Sequence, residues 1–144
     1  MTTEFWHVGL TVADLSRSIA FYRDIAGLQE GEHIQSANAQ FASLTNNPGA
    51  ELKTVFMSQG EFTLQLLEYV EGGGDPIAPG HNRAGSPHLS FFVPDIEEQY
   101  RAIATRSDIA ITSAIVTNAR GTIRSFYVED PDGVPVEFVE RLTP

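Results

Sequence analysis

The chain has 144 residues, enough for one compact domain with a real core. A formal net charge of −10 argues against a nucleic-acid or anionic-membrane partner, and the lack of cysteine excludes disulfides and thiolate metal sites. No run approaches the roughly 20 apolar residues of a membrane span, and the opening MTTEFWH has no signal-peptide character, so a cytoplasmic protein is expected.

Residues 6–28, WHVGLTVADLSRSIAFYRDIAGL, open the first unit. Val8, Leu10 and Val12 alternate with His7, Gly9 and Thr11, the period of a half-buried strand. Asp14 is placed to cap a helix, Leu15, Ile19, Tyr22 and Ile25 recur at helical spacing, and Gly27 supplies the stop. The polar residues 29–40 show no periodicity that assigns them. Residues 41–45 predict a short strand, and Asn46-Asn47-Pro48-Gly49 a turn. Residues 52–58 and 62–70 are the clearest strands, joined by a hairpin at 59–61. The segment EGGGDPIAPGHNRAGSP that follows is dense in Gly and Pro, and reads either as a linker or as a flap.

The second unit begins PHLSFFVPDIEEQYRAIATRSD and repeats the order of the first. Asp95 with Glu98 starts its helix, whose buried stripe is Ile96, Tyr100 and Ile103. Residues 109–116, 122–128 and 134–140 predict strands, the last two joined by the turn Asp130-Pro131-Asp132-Gly133. Aligning His7 with His88 also aligns Leu10 with Phe91, Val12 with Val93, Asp14 with Asp95 and Leu15 with Ile96. Likewise TLQLLEY, centred on Gln65, answers VPVEFVE, centred on Glu137. The expected fold is therefore α+β: two β-α-β-β-β modules in one domain of residues 1–144. Module one covers about 1–70, the connection 71–86 and module two about 87–144.

Strand parity turns the repeat into chemistry. If Val8, Leu10 and Val12 face the helix, His7, Gly9 and Thr11 face away, as do His88, Ser90 and Phe92 in the second unit. Gln65 shares its face with Thr63, Leu67 and Tyr69, and Glu68 lies on the reverse. Glu137 faces with Pro135 and Val139. Two imidazoles, one amide and one carboxylate presented away from the helices make a reasonable ligand set for a divalent metal. Taken singly, each of these residues reads more naturally as a hydrogen-bonded strand residue; it is their recurrence under one repeat that favours a metal site.

The motifs HVGLTVADLSRSIAFYRDIAGL, LQLLEY, PHLSFFVPDI and FYVEDPDGVPVEFVE resemble the vicinal oxygen chelate superfamily, which includes glyoxalase I, methylmalonyl-CoA epimerase, extradiol dioxygenases and the fosfomycin- and bleomycin-resistance proteins. The resemblance implies paired βαβββ modules forming a cupped mixed sheet around a divalent ion, Mn, Co, Ni, Fe or Zn. Its ligand positions fall on His7, Gln65, His88 and Glu137, with Glu137 also the candidate catalytic base. The ordered set is most similar to that of methylmalonyl-CoA epimerase, whereas glyoxalase I commonly has Glu where this chain has Gln65. Glu51 lies in the general region of the epimerase's second glutamate.

The resemblance further implies a lyase or isomerase acting on a small carbonyl substrate, and a homodimer. Two alternatives come from the same superfamily. One is an Fe(II) extradiol-type dioxygenase using His7, His88 and Glu137, with His81, His33 or Tyr127 moving protons. The other is a binding or resistance protein without chemistry. Trp6, Phe92, Phe126 and Tyr69 are candidate apolar walls, and Arg83, Arg120 and Arg124 candidate holders of an acidic substrate group.

Overall fold

The structure is a computed structural model and describes residues 1–142. The chain forms two compact units, Met1–Pro76 and Ile77–Pro144. The first contains β1 (Val8–Thr11), α1 (Leu15–Asp24), β2 (Gln29–Ser36), α2 (Ala39–Leu44), β3 (Glu51–Gln59) and β4 (Phe62–Glu71). The second contains β5 (Leu89–Phe92), α3 (Ile96–Ala104), β6 (Val116–Thr117), β7 (Ile123–Glu129) and β8 (Pro135–Arg141). Each unit carries one four-stranded mixed sheet, of order β1-β4-β3-β2 in the first and β5-β8-β7-β6 in the second. These are one topology used twice. In both sheets the first strand of the unit lies parallel to the last, and the remaining pairs are antiparallel. No helix among the described residues is long and apolar enough to cross a membrane.

Alternation decides which face of each sheet is covered. In β4, Leu64 and Leu66 are fully buried while Gln65 and Leu67 are only partly so; in β5, Leu89 and Phe91 are buried while Ser90 and Phe92 are exposed. The buried faces receive α1, through Leu15, Ile19 and Tyr22, and α3, through Ile96 and Ile103. Burial of each such side chain contributes about 1.5–3 kcal/mol. The Asp14 carboxylate accepts the Arg17 N–H at 2.8 Å, and Asp95 accepts that of Glu98 at 2.9 Å. Glu68 is on the helix-facing side of β4, as its parity requires, and accepts the Leu15 N–H at 2.8 Å. Two carboxylates thus satisfy donors in the first turn of α1, where the chain ends of peptide dipoles favour negative charge.

Two expectations are corrected. Residues 41–45 are not a strand; they lie in and just after α2, and the strand of this region is β2. Asn38 caps α2 by accepting the Phe41 N–H at 2.8 Å. The strand predicted at 109–116 is reduced to a single bridge, Ile111 to Val128, and the two residues of β6. Between that bridge and the Val116–Ser125 pair, one chain advances five residues and the other three. The ladder is broken where the Ser113 hydroxyl, in place of a backbone carbonyl, accepts the Tyr127 N–H at 2.8 Å. Bulged pairings of this kind re-aim side chains.

The β7–β8 hairpin turns on Asp130, which is only 4% exposed. Its Oδ1 accepts the N–H groups of Asp132 at 2.9 Å and Val134 at 2.8 Å, and Gly133 takes a φ of +82° that a side chain would strain. Asp130→Ala strands both donors and should lower stability by about 2–3 kcal/mol in a denaturant titration. An unchanged midpoint would mean that the turn does not depend on this carboxylate.

Candidate metal and substrate site

The predicted ligands fall into two pairs, one per unit, each built the same way. In the first unit β1 runs beside β4 with Gly9 opposite Gln65, so that His7, two residues before Gly9, shares the face of Gln65. The amide oxygen of Gln65 lies over Gly9: a Cβ on that glycine would sit 3.6 Å from it. On the other side of β4, Phe56 pairs with Gln65. The His7 ring stands edge-on to Phe56, with centroids 5.6 Å apart, and to Trp6 at 4.4 Å. Trp6 stacks on Phe56 at 5.8 Å while remaining 70% exposed, a placement consistent with an apolar wall.

In the second unit Ser90 lies opposite Glu137, and His88, two residues before Ser90, shares their face. Gly9 and Ser90 are therefore equivalent, as are Gln65 and Glu137. Tyr127 pairs with Glu137 across β7 and β8, which makes it the counterpart of Phe56. The Ser90 hydroxyl donates to Glu137 Oε2 at 2.8 Å. Burial, and then the charge of Glu137 and a hydrogen bond to it, raise the Tyr127 hydroxyl above its usual pKa, so the phenol stays protonated and serves as a donor. His81 packs edge-on against Tyr127 with centroids 4.4 Å apart, and both rings lie near His88, at 6.4 and 6.2 Å.

The donor chemistry fits a divalent ion. Each unit presents one imidazole and one oxygen donor on the face opposite its helix. His7 Nδ1 is buried without a hydrogen-bond partner, a condition that costs about 1–3 kcal/mol unless a ligand or water satisfies it. Among the described residues no group of three or more His, Cys, Asp or Glu side chains is placed to hold a metal. A pair consisting of His with Gln, or of His with Glu, does not by itself make such a group.

Other predicted positions resolve differently. Phe126 is not a wall: it is fully buried in the core of its sheet, against Tyr100 and Phe138, because it has the opposite parity to Tyr127. Phe92 is 62% exposed and carries the Arg141 guanidinium 3.9 Å above its ring, and Tyr69 is half-buried. Arg124 is engaged by Glu97 and, at 3.5 Å, by Glu140, a surface ion-pair role. His33 pairs with Glu30 at 2.6 Å on β2, and Glu51 accepts from Gln35 at 2.8 Å. Phe56 escaped the sequence reading, since only the β3–β4 register sets it beside Gln65. Ser90 was placed on the face by parity, but its bond to Glu137 needed the β5–β8 register.

The family model of the Glyoxalase/Bleomycin resistance protein/Dioxygenase superfamily matches residues 5–138. The chain belongs to this superfamily. Among curated glyoxalase-superfamily relatives, the Haemophilus influenzae lactoylglutathione lyase is 27% identical over 94% of this chain and 90% of its own length. Among solved structures, a glyoxalase family protein from Bacillus cereus superposes with a TM-score of 0.89 at 16% identity, covering 99% of this chain and 97% of that one. The fosfomycin resistance protein FosX of Listeria monocytogenes, in complex with Mn(II) and sulfate, gives 0.65 at 19% identity, covering 99% and 95%. These likenesses match the two-module glyoxalase fold to the two sheets described above.

Proposed function

We propose that the protein is a divalent-metal-dependent lyase or isomerase of the glyoxalase type, with His7, Gln65, His88 and Glu137 as the ligands. The observation that carries this reading is the repeated register: His–Gln in one sheet and His–Glu in the other occupy equivalent points, each pair turned away from its helix. The lactoylglutathione lyase relative supports the reaction class, and the Mn(II) complex of FosX supports a metal. Bound, a divalent ion would supply the Lewis acidity that stabilises an enediolate-like oxyanion of a small carbonyl substrate. The protein's own residues do the rest. Glu137 is the one ligand able to take a proton at neutral pH once both imidazoles are committed, and is assigned as base. Trp6 and Phe56 give an apolar surface beside His7. The active form in this reading is a cytoplasmic homodimer.

The placing of Tyr127 opposite Glu137, with His81 packed on its ring, keeps one competitor in view, the ring-cleaving dioxygenase, which needs such groups for proton transfer. A third possibility is binding without turnover. Under the proposal, activity on a 2-oxo or thioester substrate proceeds without O2, incorporates deuterium from solvent and survives exchange of Fe(II) for Mn(II) or Co(II). Oxygen uptake stoichiometric with loss of a catechol would replace it with the dioxygenase. Stoichiometric ligand binding with no turnover under any of these metals would replace it with the resistance-type binder.

A further inference from the structure

The two oxygen donors stand at equivalent points of the repeat, yet their neighbours differ in one consistent way. Gln65 has Gly9 on one flanking strand and Phe56 on the other; Glu137 has Ser90 and Tyr127. The charged donor is thus flanked on both sides by hydroxyls, and the neutral amide by none. Ser90 Oγ donates to Glu137 Oε2 at 2.8 Å. Tyr127 stands directly opposite Glu137 on β7, its backbone fixed where Ser113 interrupts the ladder. Its ring is backed by His81, which belongs to the segment between β4 and β5. Within that segment Gly80 N–H donates to Ser86 Oγ at 2.9 Å, Arg83 N–H to Gly80 O at 3.1 Å and Ser86 N–H to Arg83 O at 3.0 Å. These bonds give residues 80–86 a defined turn, which sets His81 edge-on to Tyr127.

We infer that Ser90 and Tyr127, the latter buttressed by His81, form a hydroxyl cradle that orients the Glu137 carboxylate for its metal. An ionised carboxylate offers about four lone-pair positions. Two hydroxyl donors occupy part of that capacity and fix the plane of the group, leaving the remaining lone pairs aimed in one direction. Partners that orient a ligand in this way typically change metal affinity by about 10–100-fold when removed. Gln65 needs less support because a neutral amide carries no charge to stabilise and its Oε1 lies over the open space that Gly9 leaves. Ser90, Tyr127 and His81 are positioning residues here, and their role rests on the reading of Glu137 as a ligand.

The test is Mn(II) affinity, measured by calorimetry on the full-length apo protein, with apo melting temperatures recorded beside it. Ser90→Ala and Tyr127→Phe should each weaken Mn(II) binding by about 10-fold or more. Ser90→Thr, which keeps the hydroxyl, should restore it, and His81→Ala should weaken it only a few-fold. Apo melting temperatures should hardly move, because Ser90 and His81 are exposed, Tyr127→Phe preserves the ring, and each single substitution leaves Glu137 one hydroxyl neighbour. Glu137→Ala is the reference. If it loses Mn(II) while Ser90→Ala and Tyr127→Phe bind as the wild type does, the cradle is overturned and the ligand assignment stands. If Glu137→Ala itself binds normally, both fall. Weakened binding that tracks a lowered apo melting temperature, without recovery in Ser90→Thr, would also overturn the cradle in favour of a structural role.

Discussion

His88→Ala is expected to strip the divalent metal from the protein while leaving its melting temperature almost unchanged. His88 is exposed just before β5, and its ring contacts are the distant ones to His81 and Tyr127, at 6.4 and 6.2 Å. Truncating so exposed a side chain removes little packing, so the stability change should stay within about 0.5 kcal/mol. Loss of a direct ligand should weaken metal binding more than loss of a partner behind it, hence by more than about 100-fold. His7→Ala should lose the metal as well, but it is the less clean variant. Its ring is half-buried against Trp6 and Phe56, and each such aromatic contact contributes about 0.5–1.5 kcal/mol. In the apo protein that loss is offset by removal of the unpartnered Nδ1, so metal content, not melting temperature, is the readout for His7→Ala. Metal analysis of both purified proteins decides the matter: full stoichiometry in the two variants would sink the four-ligand reading.

What could be read from the sequence was what the chain states twice or states with strong local chemistry. The β1–α1 and β5–α3 units each join an alternating apolar strand to an Asp cap, and both caps are made. Parity alone placed Gln65 on the face opposite α1 and Glu68 on the helix side, where Glu68 meets the Leu15 N–H. The failures have physical causes. β2, QEGEHIQS, is almost wholly exposed, so neither face demanded apolar residues and no period of two was written into it. In α2 no residue is buried, so residues 39–44 carry no helical stripe, and the readable signal was the cap at Asn38. Residues 109–116 do alternate, and Ile109, Ile111, Ser113 and Ile115 are half-buried. Their strand is broken by a side-chain hydrogen bond from a distant element, which local pattern cannot reveal. The same limit hid the surroundings of Glu137. Two strand registers bring Ser90 and Tyr127 beside one carboxylate and a turn sets His81 on the Tyr127 ring, none of them a property of neighbouring residues.

Gln65→Glu is expected to keep the metal and lose most of the native turnover. The substitution changes charge at nearly constant size, on a half-buried strand position where Gly9 leaves space in front of the side chain. A second carboxylate would add Coulombic attraction for a divalent ion, so affinity should be at least that of the wild type. It would also reduce the net positive charge available to an oxyanion, and turnover on the native substrate should fall. The structure adds a further consequence. Glu137 has the Ser90 hydroxyl as a donor and the phenol-bearing Tyr127 opposite it, whereas a glutamate at 65 would have Gly9 and Phe56 at those places. Without metal, that carboxylate would be partly buried and poorly satisfied, so the apo variant should melt below the wild type. Ligand binding to the folded state raises stability through mass action, so saturating Mn(II) should close the gap. Melting curves with and without Mn(II), beside calorimetric affinities, read all three effects. If Gln65→Glu and Gln65→Ala both leave affinity and turnover unchanged, Gln65 is not a ligand. His7, His88 and Glu137 would then remain as a two-histidine-one-carboxylate set, the ligation of non-haem iron oxygenases, and the dioxygenase reading would take precedence.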